Sequence, residues 1–160
     1  MRRSTTTGCS RASRRPETPS CTSRRCTATT RSRWRWSPAA RRTVSLHGCS
    51  PTEAGLPSTT AAVLVGGLDS GLRAKAVAAL RVAFANTDVQ VRDAAGTPDL
   101  NGDEPGNIVN RNLRGAGLQL ELTTPLRDRM FLTNTRKDRG STVLQPFTDF
   151  VTATRAALAG

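Results

Sequence analysis

The amino-acid sequence predicts an α/β fold, a partly parallel sheet with flanking helices, on three observations. A continuous apolar run, "AAVLVGG", an amphipathic stretch and a second β-like run, "DVQVRDA", follow one another within about thirty residues, the order of a βαβ unit with its right-handed crossover. Continuous rather than alternating apolarity is expected of a strand covered on both faces. A further apolar strand, "GLQLEL", and a closing helix complete the set.

In chain order, "TVSLHG" reads as a short strand ended by Gly48, and "AAVLV" as a strand stopped by Gly66 and Gly67. Asp69 or Ser70 can cap the next helix, where Leu68, Leu72, Ala76, Leu80 and Phe84 recur every fourth residue and Ala79 and Ala83 widen the stripe. "GTPDLNGDEPGN" is a loop of turn residues that delivers "NIVNRN". "GAGLQLELTT" is the next strand, followed by a short helix around "PLRDRMF" and the polar loop "TNTRKDRGST". Pro146 opens the last helix, with Phe147, Phe150, Val151, Ala157 and Leu158 on one face.

A chain of 160 residues is long enough for one domain with a core, yet its formal net charge of +12 is concentrated in one quarter of it. Residues 1–43 hold twelve arginines and one acid, Glu17, a net +11; the rest sets twelve basic groups against eleven acids, a net +1. Residues 1–42 contain no Leu, Ile, Val or Phe, and such a segment cannot recover the entropy of ordering its backbone, so disorder is expected there. No apolar run is long enough for a transmembrane helix or a signal-peptide core. Cys9, Cys21, Cys26 and Cys49 lack the spacing of a metal finger.

Three side chains stand out chemically. Glu121 sits among Leu118, Leu120 and Leu122; at the end of a buried strand it would have a raised pKa suited to acid/base work, whereas on an edge strand it would be a solvated carboxylate. Arg111, behind a Gly- and Asp-rich loop, could hold an anionic substrate by two parallel hydrogen bonds or pair with an acid such as Asp103. His47, the only histidine, ends its strand before Gly48, and a lone histidine is more often a hydrogen-bonded structural group than a ligand. Cys49 lies two residues on, where a turn would point it away. "VGGLDSG" lacks the lysine of a phosphate loop and the spacing of a dinucleotide fingerprint.

"VSLHGC", "AVLVGGLDSGLRAKAVAAL", "PGNIVNRNLRGAGLQLELTTPLRDRMF" and "FTDFVTATRAAL", taken together over residues 43–160, resemble the poly-γ-glutamate hydrolase family, also labelled phage-related replication protein. That family resembles zinc carboxypeptidases in fold and site. The resemblance implies a zinc held by an early His and Glu and by a later His in an "HG" strand end, which His47 matches. Glu121 matches the catalytic glutamate of the "QLE" strand, and Asn110 with Arg111 matches an "NR" pair assigned to binding a substrate carboxylate. The partner implied is an anionic γ-glutamyl polymer, and the reaction is zinc-dependent hydrolysis of its amide linkages.

The early His/Glu motif of that family is absent from residues 1–42, so two of the three expected zinc ligands are missing and an N-terminally truncated, inactive domain is expected. Three readings of residues 1–42 compete: a basic arm binding nucleic acid, with Trp34 and Trp36 as stacking surfaces; an organellar transit peptide; and a segment translated out of frame. The last is preferred, because twelve arginines without a lysine are what shifted GC-rich codons produce. A non-catalytic paralogue that binds the polymer without cutting it is the remaining alternative.

Overall fold

A computed structural model describes residues 40–159. The strands are Val44–Cys49 (β1), Ala62–Gly66 (β2), Gln90–Asp93 (β3) and Leu118–Thr123 (β4). The helices are Ser70–Ala83 (α1), Thr124–Arg129 (α2) and Gln145–Ala159 (α3), with a 3-10 turn at Ile108–Asn110. The sheet order is β1-β4-β2-β3. β1 runs parallel to β4 and β2 parallel to β3, while β4 and β2 are antiparallel, so the sheet is two parallel pairs joined back to back.

The predicted βαβ unit is β2–α1–β3. Asp69 rather than Ser70 caps α1, its Oδ1 accepting from the Leu72 N–H at 2.9 Å. Leu72, Ala76, Val77 and Leu80 form the buried stripe, and Phe84 closes it from the C-cap. Leu68, expected in the stripe, precedes the helix and is exposed, because the chain is still turning off the sheet there.

Side chains alternate across the pleat, so each strand serves two layers. Val63, Val65, Leu118, Leu120 and Leu122 face α1, α2 and α3, and form the main core with Leu80, Leu126, Met130 and Phe150. Cys49, Ala62 and Leu64 face the other way, into a smaller core closed by Ala54, Leu56, Ala94 and Leu100. Among the described residues the helices therefore lie on one face only. The opposite face is covered by tight turns, such as Leu56 N–H to the Pro51 carbonyl at 2.9 Å and Thr60 N–H to the Pro57 carbonyl at 2.9 Å, since Pro51, Gly55 and Pro57 preclude a helix.

One strand limit differs from the sequence reading: β1 continues through Gly48 to Cys49. Of the two positions left open for the "LQLEL" strand, β4 takes the interior one. The disorder expected of residues 1–42 concerns residues outside those described, except for 40–42. There, the Ala40 carbonyl accepts from the Leu113 N–H and the Arg42 guanidinium donates to the Leu158 carbonyl.

Leu120 and Leu46 are register partners on the helix-facing side, yet Leu120 is fully buried and Leu46 is 62% exposed. Leu120→Ala should therefore cost about 2–5 kcal/mol and Leu46→Ser less than about 0.5 kcal/mol, measured by urea denaturation.

Candidate active site

Parallel register places His47 of β1 opposite Glu121 of β4, and antiparallel register places Glu121 opposite Leu64 of β2. Residues paired in this way share a face, the one away from the helices. Row by row that face carries Ser45 with Gln119, His47 with Glu121, and Cys49 with Thr123. The polar groups thus form a stripe along the two parallel strands, bounded by Leu64 and Ala62 on one side and by the open edge of β1 on the other.

Glu121 is 5% exposed, which settles its position as a buried carboxyl on an interior strand. One hydrogen bond reaches it, from Gln119 Nε2 to Oε1 at 3.2 Å. Its pKa is pushed up to about 7, first by burial and then by the negative charge of Glu53, with the Arg127 guanidinium acting in the opposite direction. Glu53 itself lies below the ordinary carboxylate value, because the Ser50 N–H and hydroxyl donate to it at 2.7 and 2.9 Å. The two acids are coupled but held in different protonation ranges, as suits a group that must exchange protons near neutrality.

His47 is exposed at the strand edge and makes no side-chain hydrogen bond among the described residues. Cys49 corrects the sequence expectation: because β1 extends past Gly48, the thiol shares the face of His47 instead of turning away. It is buried, and burial with the charges of Glu121 and Glu53 raises its pKa. Zinc in a catalytic site needs about three protein ligands. Among the described residues no group of three His, Cys, Asp or Glu side chains could hold a metal ion, so this donor set does not fit a catalytic zinc.

Asn110 is 3% exposed and spends its amide entirely on the backbone. Its Oδ1 accepts from the N–H groups of Leu68 (3.3 Å) and Gly117 (3.0 Å), and its Nδ2 donates to the carbonyls of Gly102 (2.8 Å) and Glu104 (3.0 Å). Gly117 must be glycine, since a Cβ there would stand 2.1 Å from the Val109 carbonyl oxygen. No hydrogen-bonding capacity of Asn110 is left for a substrate; it ties the loop to the sheet. Arg111 follows, exposed, and no ion pair with Asp103 forms. Its loop is linked to the acid by two hydrogen bonds, Asn107 Nδ2 to Gln119 Oε1 at 3.0 Å and Gln119 to Glu121.

Gln119, Glu53 and Arg127 escaped the sequence reading. Gln119 was legible, because period-two alternation puts it beside Glu121. Arg127 was not: it projects from α2 so that its guanidinium lies on Gly48 of β1, where a Cβ would stand 2.7 Å from its Cζ. Beside Gln119 a cleft of about 400 Å³ is lined by Asp99, Asp103 and Glu104, so an anionic ligand would be repelled there.

Fold and site define an α/β chain with a buried acid and an exposed imidazole side by side on two parallel strands. The chain belongs to the poly-gamma-glutamate hydrolase family, whose model matches residues 27–153 and so begins ahead of the change in composition at Thr43. It is 33% identical over 109 residues to the SPbeta prophage-derived UPF0714 protein YoqZ of Bacillus subtilis (strain 168), covering 68% of this chain and 36% of that protein. It is also similar to a solved bacteriophage poly-gamma-glutamate hydrolase, with a TM-score of 0.61 and 32% identity over 74% of this chain and 52% of the phage protein. A zinc-free apo form of YNDL gives a TM-score of 0.60 and 25% identity over 73% of this chain and 52% of that one. The chain therefore spans about a third of the curated relative and about half of each solved structure. The arm that would bind nucleic acid lies almost wholly outside the described residues. Among the described residues no helix is long and apolar enough to cross a membrane.

A raised pKa is a statement about stability. Below about pH 4.5 Glu121 is neutral whether folded or unfolded; as pH rises through about 7 the folded chain must bury a charge, and stability is lost. Glu121→Gln should match the parent near about pH 3.5 and exceed it by up to about 2–3 kcal/mol near about pH 8.5, in urea denaturation of the metal-free protein.

Proposed function

We propose that this chain carries the acid/base and polymer-binding part of a hydrolase acting on γ-glutamyl amide linkages. The observation that supports this most directly is Glu121, buried in the middle of the sheet with a pKa near neutrality and in register with His47. In amide hydrolysis a water oxygen bonds to the carbonyl carbon, the C–N bond breaks, and one proton must pass from the water to the departing amine. A carboxyl titrating near 7 is ionised often enough to take that proton and acidic enough to return it. Arg111, exposed beside the loop that Asn110 anchors, is the group proposed to hold a polymer carboxylate. Asn110 is assigned to positioning that loop.

His47 is proposed as one ligand of the zinc that the family resemblance implies, with its ring free at the sheet edge. The described residues do not supply the rest of a zinc site, and without an electrophile to stabilise the oxyanion Glu121 alone leaves the barrier high. The chain is therefore proposed to bind poly-γ-glutamate and to cut it little or not at all. The reading of a polymer-binding paralogue draws on the same donor deficit.

Full-length chain mixed with poly-γ-glutamate should leave the polymer's size distribution unchanged on gel permeation, with and without added zinc, while calorimetry detects binding that persists in chelator. Arg111→Ala should weaken that binding about tenfold. Zinc-stimulated depolymerisation would overturn the proposed incompleteness, and absence of binding would overturn the polymer reading.

A further inference from the structure

Basic side chains gather at one end of the sheet. Arg41 and Arg42 precede β1, Arg114 precedes β4, and Lys75 lies in the second turn of α1. Because β1 and β4 are parallel, and β2, which feeds α1, is antiparallel to β4, all three elements start at that same end. Backbone hydrogen bonds fix the segment before β1 on both sides of its arginine pair. The Leu113 N–H donates to the Ala40 carbonyl at 3.2 Å and the Leu118 N–H to the Thr43 carbonyl at 2.9 Å. Arg41 and Arg42 are thereby held between two anchored residues, next to the loop that carries Arg114.

Two hollows of about 260 and 590 Å³ adjoin there, with Arg42 and Arg114 lining both; Lys75 completes the first and Arg41 the second. Among the described residues Asp69 is the one acid on either lining, and it is already committed. Its Oδ1 accepts from the Leu72 N–H at 2.9 Å, and its Oδ2 stands 3.8 Å from Arg114 Nη1. Neither Arg41 nor Lys75 forms an ion pair among the described residues. Arg42 spends one guanidinium donor on the Leu158 carbonyl, in the last turn of α3, and keeps the others. Four cations therefore face one carboxylate, and a surplus of like charge in a concave surface draws anions to it.

We propose that this cluster is a second polymer-binding site, at which Arg41, Arg42, Lys75 and Arg114 take successive carboxylates of poly-γ-glutamate. The choice of polymer rests on the proposed hydrolase reading; the anion site rests on the cluster itself. A charge surplus spread over three elements is more than one carboxylate neutralises, whereas a γ-glutamyl chain carries a carboxylate at every residue and gains by engaging several at once. Nucleic acid is the less suited occupant, because no aromatic side chain lines either hollow and bases have nothing there to stack on. Arg111 lies in the same loop as Arg114, no more than about 11 Å of backbone away, so one polymer strand reaches both. The cluster includes α1 and so lies toward the helix-bearing side of the sheet, while His47 and Glu121 share the opposite face. Polymer anchored at the cluster leaves those two groups uncovered.

The chain has two lysines, Lys75 in the cluster and Lys137, exposed in the loop after α2, and so carries its own control. The test is to acetylate the full-length chain with limiting reagent, with and without poly-γ-glutamate, and to quantify each lysine by mass spectrometry. The polymer should slow modification of Lys75 at least about tenfold and of Lys137 less than about twofold. In calorimetry the triple variant Arg41→Gln, Lys75→Gln, Arg114→Gln should bind polymer at least about tenfold more weakly and with a flatter salt dependence. All three residues are exposed, so its melting temperature should match the parent's. The charge-matched variant Arg136→Gln, Lys137→Gln, Arg139→Gln should change binding less than about twofold. Polymer that binds but leaves Lys75 as reactive as Lys137, or equal losses in the two triple variants, overturns the cluster while the hydrolase reading stands. Stronger protection of Lys75 by duplex DNA of equal charge overturns the choice of occupant. If Lys75 is protected and Arg111→Ala binds as tightly as the parent, the cluster stands and the role proposed for Arg111 falls. Absence of polymer binding by the parent overturns both.

Discussion

Strand β4 is inserted between a parallel and an antiparallel neighbour, so the side chains on both its faces are enclosed laterally as well as from above. On the helix face this enclosure produces an ordinary aliphatic core. On the other face it encloses Gln119, Glu121 and Thr123, three polar residues in a row. Each meets the enclosure differently. Thr123 satisfies its hydroxyl completely, accepting from the Ala62 N–H at 2.8 Å and donating to the Thr60 carbonyl at 2.9 Å. Gln119 spreads its amide over Asn107, Leu100 and Glu121. Glu121 receives a single bond, and burial displaces its proton equilibrium instead of being fully compensated.

The loop between β3 and β4 is the second constraint. Four hydrogen bonds from one buried amide, that of Asn110, join three separate backbone stretches, at Leu68, at Gly102–Glu104 and at Gly117, around the amino end of β4. A side chain with two donors and two acceptor lone pairs can do this where no other side chain of its size could. The loop then has one conformation, and Asn107 and Arg111 are carried with it. Asn110 and Arg111, adjacent in sequence, therefore do unlike things: one is consumed by the fold, the other is presented to solvent.

The edge of β1 shows the opposite economy. Its inner side is fully registered with β4, while among the described residues Leu46 is exposed and Ser45 Oγ and Arg127 Nε have no hydrogen-bond partner.

The sequence by itself determined the element order, the βαβ unit and the apolar stripes, because these are set by local periodicity and by Gly, Pro and Asp at element ends. It also singled out His47, Glu121 and Arg111, which resemblance and residue type mark without any coordinates. Tertiary structure decided what periodicity leaves open. Whether "LQLEL" is interior or edge depends on strand order, and that choice separates a solvated carboxylate from a buried one. The face that Cys49 occupies depends on whether β1 stops at Gly48. The fate of the Asn110 amide depends on backbone groups brought from Leu68, Gly102, Glu104 and Gly117, and the place of Arg127 depends on the docking of α2 over β1. Each is a contact between segments distant in sequence, and such contacts exist only once the chain has folded.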